Sequence, residues 1–435
     1  MKYRKLGALA LAALLLLTGC NTQTEPDKST GDSVQHTTSS EAVTETETEA
    51  PEPFIIYCTD TLTGAFIDQY LADNRDAAAM VQVQTVTEAE LNAWKESGVT
   101  ESEAAPDMLV VSSDALGTYV DAGLLTELTG LGMTEKSTKQ MYSFMKELGI
   151  CDEGLYGVTW QQSARAFVYN RTLAKEYLEV ENNNDMQAAI GEWSSLYNAS
   201  VTVNTNSGGT VRLLGSAEEI RQALDAAQPE WYVEDKLTIP DVMIDYLELY
   251  PAFLEEDLTW EYSVDSEEWL AALLDGSVIG CFGDAAFIQR ELAPYFADGT
   301  GEWGFCYGPQ NFVTEADMIA VTKDCQDMEL AEALLTYLTC DKKAMETFAT
   351  AQLVPVNNME LMKALSEKDT GKLPLLKNQN ILKGYTNVAG KISTRMVSEE
   401  EQALTSRFLQ EIEACLAGEK NIEQALMDFA ADVEE

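Results

Sequence analysis

Gly154-Leu-Tyr-Gly-Val-Thr-Trp-Gln-Gln-Ser-Ala-Arg-Ala-Phe-Val-Tyr-Asn170 is the stretch whose reading decides the architecture. Val158-Thr159-Trp160 and Phe167-Val168-Tyr169 are strand-like, and three polar residues, Gln161, Gln162 and Ser163, stand between them. A strand buried on both faces is nearly all Val, Ile and Leu. A strand that leaves one sheet, crosses a cleft and enters a second sheet exposes its middle to whatever the cleft holds. The two readings are therefore a crossing between two lobes and a polar edge strand of a single sheet.

Working outward, the chain before this stretch alternates strands with helices. Phe54-Ile-Ile-Tyr-Cys58 is a compact apolar strand followed by a helical run to about Asp73. Val81–Val86 alternates apolar and polar, helical spacing returns over Glu88–Glu96, and Pro106–Val111 is a third strand. Such alternation implies a parallel sheet with right-handed crossovers. Ligands of open α/β sheets lie beyond the carboxyl ends of the strands, which nominates Asp60, Thr61, Ser112, Ser113 and Asp114 as cleft residues. A crossing that follows this three-strand unit and precedes the helix starting near Trp193 fits a two-lobed chain.

At 435 residues, two to three domains are expected, and 46% hydrophobic with 23% charged residues is a globular composition. The balance of 73 acidic against 28 basic residues gives a net charge of −45, which argues against binding nucleic acid or an anionic surface. The single histidine, His36, lies in a polar low-complexity segment. The body therefore holds no Ser-His-Asp or Cys-His arrangement and no His-based metal site. No phosphate-binding Gly loop appears either, so neither cofactor nor metal is expected. Of eight cysteines none forms a Cys-x-x-Cys pair. Cys58, Cys281 and Cys306 read as small buried hydrophobes, while a Cys325–Cys340 bridge is permitted but not required in an exported protein.

At the amino end, three positive charges within Met1–Lys5 precede an apolar run over Leu6–Leu17, the anatomy of a secretory signal and too short to span a bilayer. Leu17-Thr18-Gly19-Cys20 resembles the lipobox of bacterial lipoproteins, implying cleavage after residue 19 and lipidation of Cys20, with two acyl chains sufficing for a stable anchor. Residues 20–53 are rich in Thr, Ser, Glu and Pro and read as a disordered acidic tether. Beyond them 65 acids and 24 bases remain, about −41.

Several blocks carry a specific resemblance. Ala105-Pro-Asp-Met-Leu-Val-Val111 with Tyr119-Val-Asp-Ala-Gly-Leu-Leu-Thr-Glu-Leu128, Leu155–Trp160 with Val168-Tyr-Asn-Arg171, Gly276–Asp284, Glu302–Pro309 and Met318–Lys323 resemble, in order, the blocks of bacterial extracellular solute-binding proteins of sugar-type ABC transporters, the maltose-binding-protein-like family 1. The resemblance implies an α/β, two-lobed periplasmic-binding-protein-like fold, each lobe a mostly parallel sheet flanked by helices, joined by a multi-strand hinge. It places 54–161 plus about 309–355 in lobe 1, and about 162–308 plus about 356–435 in lobe 2. Leu353-Val-Pro-Val-Asn357 is then the third crossing. Helices are expected over Ala217–Ala227, Pro240–Leu254, Ser266–Leu274, Asp327–Leu338, Glu400–Leu416 and Ile422–Glu434. Val201–Thr210 departs from the family, reading as strand-like and Gly/Asn-rich, and Thr202–Leu214 is left unassigned.

The implied function is capture of a small solute, a mono- or oligosaccharide, by a monomeric lipid-anchored protein on the extracytoplasmic face of the cell membrane, with delivery to ABC permease subunits. Sugars are held by polar groups and aromatic faces. The candidates are Trp160, Gln161, Gln162, Arg165, Asp284, Trp303 and Tyr385, beside Asp60, Thr61, Ser112 and Asp114. Each aromatic has a core-packing alternative, which is preferred for Trp231. Asp284 stands where relatives usually carry a Gly-x-Trp, and it serves equally as a hydroxyl acceptor or a helix N-cap. Arg165 reads as a ligand clamp or as a salt-bridge partner. Other readings are a cationic solute, suggested by the acidity, and a sensory or adhesive receptor on the same fold. A glycosidase needs a carboxylate pair, which 73 acids make uninformative, so no catalysis is expected.

Overall fold

The computed structural model describes residues 52–97, 105–227, 229–233, 236–296, 301–393 and 398–434. The signal, Cys20, His36 and the tether up to residue 51 lie outside the described residues. Phe54–Cys58 forms β1, buried at all five positions. Asp60 then caps α1 (Thr61–Asp73) by accepting from the amides of Leu62 and Thr63. β2 (Val81–Thr85), α2 (Glu88–Ser97), β3 (Met108–Ser112) and α3 (Ser113–Asp121) complete the unit foreseen in the sequence. β2 and β3 flank β1 in parallel, with Ile56 opposite Val83 and Met108. Buried Asp107 fixes the unit from below, accepting the amides of Ile55 and Gln326, each at 2.8 Å.

The 154–170 segment crosses from this sheet to another. Val158 bridges Ile319, Gln161 bridges Val356 and Arg165 bridges Phe312, and the chain then becomes β4 (Ala166–Asn170). α4 (Trp193–Asn206), α5 (Glu218–Asp225), α6 (Asp241–Glu255) and α7 (Glu267–Asp275) follow, leading into β5 (Gly280–Gly283) and β6 (Trp303–Cys306). β7 (Asp317–Val321) returns to the first sheet, antiparallel to β3. After it come α8 (Met328–Thr339), α9 (Lys342–Gln352), α10 (Met359–Ser366), α11 (Ile381–Ala389), α12 (Glu399–Leu416) and α13 (Ile422–Glu434). The first sheet has the order β7-β3-β1-β2 and the second β6-β4-β5.

Two expectations need correction. The second sheet is not mostly parallel: β4 runs antiparallel to both neighbours, with Phe167 opposite Phe282 and Val168 opposite Phe305. The chain enters this sheet directly from the crossing instead of through a helix, so its central strand lies reversed. The only parallel element among the described residues there is an isolated Arg212–Val278 bridge. The strand-like reading of Val201–Thr210 also fails, because α4 continues to Asn206. Leu196, Ala199, Ser200 and Val203 are buried at helical spacing, and this packing overrides the β-branched preference. Gly208 and Gly209, both at positive φ, turn the chain only afterwards.

Two buried clusters support the sheets. Phe66 stacks on Phe348 at 4.3 Å and receives the edge of Trp160 at 5.5 Å, and each such fully buried aromatic contributes roughly 1.5–3 kcal/mol. Around the second sheet Trp231 packs on Phe408 and Phe429, its indole N–H bonded to Thr405, as its core reading expects. The seven cysteines from Cys58 to Cys415 are free thiols, Cys325 and Cys340 included, and Cys58, Cys281 and Cys306 are buried. Among the described residues no helix is long and apolar enough to cross a membrane.

Candidate functional site

A cavity of about 360 Å³ opens where the ends of both sheets meet the crossing segment. The first sheet supplies Ser112 at the end of β3 and Glu315, Ala316 and Asp317 at the start of β7, which lies beside it because Asp317 pairs with Ser112. The second supplies Phe282, Gly283 and Asp284 from β5, with Trp269 of α7 and Phe287 behind them. Gln161, Ser163 and Arg165 form the floor.

The alternation of an extended chain explains the floor. Residues 161, 163 and 165 face the cavity, whereas Val158, Trp160, Gln162 and Ala164 face protein and are buried. Gln161 donates to Asp284 Oδ2 at 2.9 Å, and Asp284 Oδ1 accepts the Phe287 amide at 2.7 Å. Asp284 is thus an N-cap and a cavity residue at once. Arg165 is held only by long contacts, Nη1 to Phe282 O at 3.5 Å and Nη2 to Asp265 Oδ2 at 3.9 Å.

Several nominated residues stand elsewhere. Trp160 is 1% exposed and donates from its indole to Thr63 Oγ1 at 2.8 Å, so it packs the core under the crossing and stacks on no solute. Gln162 is buried on the same side, its backbone N–H bonded to Pro355 O at 3.1 Å. Trp303 lies inside β6 against Phe296, and Tyr385 is buried in α11, its hydroxyl donating to Gly283 O at 2.8 Å. Tyr385 therefore fixes the end of β5 without lining the cavity. Asp60 sits just behind the wall, its carboxylate occupied by the α1 amides, Thr63 Oγ1 and Arg290. Thr61 and Asp114 are exposed and outside the cavity lining. Ser112 lines the cavity and donates to Glu315 Oε2 at 3.2 Å.

The sequence reading missed Ser163, Asp265, Trp269, Phe287, Arg290, Glu315 and Asp317. Asp317 is pushed up to about 7, first by burial and then by the charge of Asp60, with Arg290 opposing. Glu315 is raised by burial, with Arg165 opposing. Beneath the wall, Glu219 is pushed up to about 7 by burial, although it accepts from Trp269 Nε1 and the Phe282 amide, both at 3.0 Å. Despite these acids, no group of three or more potential ligands holds metal-binding geometry among the described residues. A second cavity, of about 650 Å³, lies along the segment Tyr307–Asn311 and mixes apolar side chains such as Phe144, Leu148 and Val242 with polar ones, among them Glu147, Gln187, Gln310 and Lys391.

A polar cavity floored by a crossing segment and walled by two α/β sheets defines a two-lobed solute-binding fold. The family follows directly: the chain matches the model described as bacterial extracellular solute-binding protein over residues 65–370, and it belongs to that family. No curated protein matches it by sequence. Solved structures share the fold at low identity. The ABC transporter associated binding protein of B. animalis subsp. lactis, solved with β-1,6-galactobiose, aligns with TM-score 0.62 at 14% identity, over 88% of this chain and 96% of its own. The GacH receptor of Streptomyces glaucescens, solved unliganded and with acarbose, aligns with TM-score 0.62 at 14% identity, over 88% and 98%. The galacto-N-biose-/lacto-N-biose I-binding protein of the ABC transporter of Bifidobacterium longum, solved with lacto-N-biose, gives 0.59 at 14%, over 88% and 96%.

Proposed function

We propose that the chain is the extracytoplasmic receptor of an ABC importer, enclosing a mono- or oligosaccharide between its lobes and presenting it to the permease, without catalysis. The observation that carries this reading is the cavity itself, whose lining sets hydrogen-bonding groups (Gln161, Arg165, Asp284, Glu315, Asp317) beside the aromatic Phe287, with the buried Trp269 supporting the wall. Carboxylates and amides satisfy sugar hydroxyls, and ring faces cover C–H patches. The proteins of like fold solved with galactobiose, acarbose and lacto-N-biose support a saccharide. Lobe 1 comprises 54–161 with about 309–355, and lobe 2 about 162–308 with about 356–435, hinged where the chain passes between them at 154–170, after the stretch 302–309 and at 353–357. Solute that touches both lobes favours the closed arrangement. Cys20, once lipidated, anchors the monomer, and the acidic tether gives it reach.

A thermal-shift panel of mono- and oligosaccharides beside polyamines tests the reading. Stabilisation by at least one saccharide is expected, since a ligand present at 100 times its Kd adds about 2.7 kcal/mol. Stabilisation by polyamines alone would replace the sugar with a cationic solute.

A further inference from the structure

Arg290 and Asp60 come from different halves of the molecule. Asp60 ends β1 and caps α1 of the first sheet. Arg290 lies in the helical turn Ile288–Leu292 after β5. The residues flanking that turn pack on elements of the second half, Phe287 on Trp269 of α7 at 5.6 Å and Phe296 on Trp303 of β6 at 5.9 Å, while Ile288 and Leu292 within it are buried in a cluster that also holds β1. Yet Arg290 Nη1 reaches Asp60 Oδ1 at 2.6 Å, with the Asp60 side chain 1% exposed. Asp60 cannot swing to make this contact, because Oδ2 is held by the Thr63 amide at 2.7 Å and hydroxyl at 2.6 Å. Thr63 Oγ1 is in turn held by Trp160 of the first crossing. The acceptor is therefore fixed on the first lobe and the donor carried on the second. Burial opposes the Arg290 charge, while Asp60, Asp284 and Asp317 favour it.

We propose that Arg290–Asp60 is a latch across the cleft that draws the lobes together before solute arrives, making Arg290 a positioning residue for solute capture. The proposal rests on the two-lobe reading above and is independent of what the solute is. A charge-assisted hydrogen bond whose acceptor is preorganised shifts the closed-to-open ratio by about tenfold or more. Apparent solute affinity falls as the competent fraction falls, so the latch acts on affinity through closure, in addition to any contact Arg290 makes from the cavity lining.

Small-angle scattering on the solute-free protein tests it, with Arg290→Gln, Asp60→Asn and the double variant. Asp60→Asn keeps an N-cap residue on α1 while removing the charge, so it carries the test if Arg290→Gln fails to fold. Each single variant, folded by circular dichroism, is expected to raise the radius of gyration. The double variant should raise it no further, because both singles break one contact, and Arg290→Lys should return it towards the wild-type value. A radius unchanged in the folded single variants, or two effects that simply add in the double, overturns the latch. Either result leaves the saccharide reading standing if the thermal-shift panel succeeds, whereas a latch without saccharide stabilisation leaves the latch and removes the sugar.

Discussion

Glu219 links cavity geometry to pH. Its carboxylate holds Trp269 and the Phe282 amide, two parts of the cavity wall, and burial pushes its pKa up from 4.5 to about 7. The folded protein thus binds this proton more tightly than the unfolded chain does. Between pH 4.5 and 7 the native state carries more of the proton, so the contribution is fully present below pH 4.5 and is lost as pH rises, levelling off above 7. The shift corresponds to roughly 3 kcal/mol. Glu219→Gln removes the titration while keeping one acceptor oxygen. Urea unfolding followed by tryptophan fluorescence from pH 4.5 to 8 should show wild type losing about 3 kcal/mol more than the variant over this range. Repulsion within the acidic body occurs in both proteins and cancels in the difference. Parallel stability curves for the two would refute the account of Glu219 as a buried, proton-holding carboxylate.

Trp160→Ala should cost about 3–5 kcal/mol of unfolding free energy in chemical denaturation, as for a core tryptophan; a loss below about 1 kcal/mol would return Trp160 to the cleft. Asp284→Ala removes an N-cap and the partner of Gln161, and is expected to cost about 1 kcal/mol of stability and, by calorimetry, about tenfold in affinity for the stabilising saccharide. Gly384→Ala places a methyl group against the ring of Phe305 in β6, so a loss of about 1–3 kcal/mol is expected, read as a lowered Tm.

The crossing was legible because polar residues interrupt an apolar run, and polarity in such a place has few structural explanations. β1 to β3 were legible from period and turn chemistry. Within the crossing, however, Trp160, Gln161, Gln162 and Arg165 were nominated as neighbours in sequence, although an extended chain sends alternate residues to opposite faces. Applying that alternation would have kept Gln161 and Arg165, added Ser163, and sent Trp160 and Gln162 inward. Asp284 was found because it ends a recognisable strand. Glu315 and Asp317 also begin one, but their carboxylates were two among 73 and carried no contrast. Arg290 was invisible because its partner is 230 residues away. The antiparallel second sheet was missed because strand direction depends on where the chain enters a sheet, which no local pattern encodes.

A crystal structure grown with the saccharide that most raises the melting temperature tests the central claim most directly. The account predicts sugar density bounded by Gln161, Arg165 and Asp284 on one side and Ser112, Glu315 and Asp317 on the other. Sugar bound instead in the cavity along Tyr307–Asn311, or touching only one sheet, would contradict it.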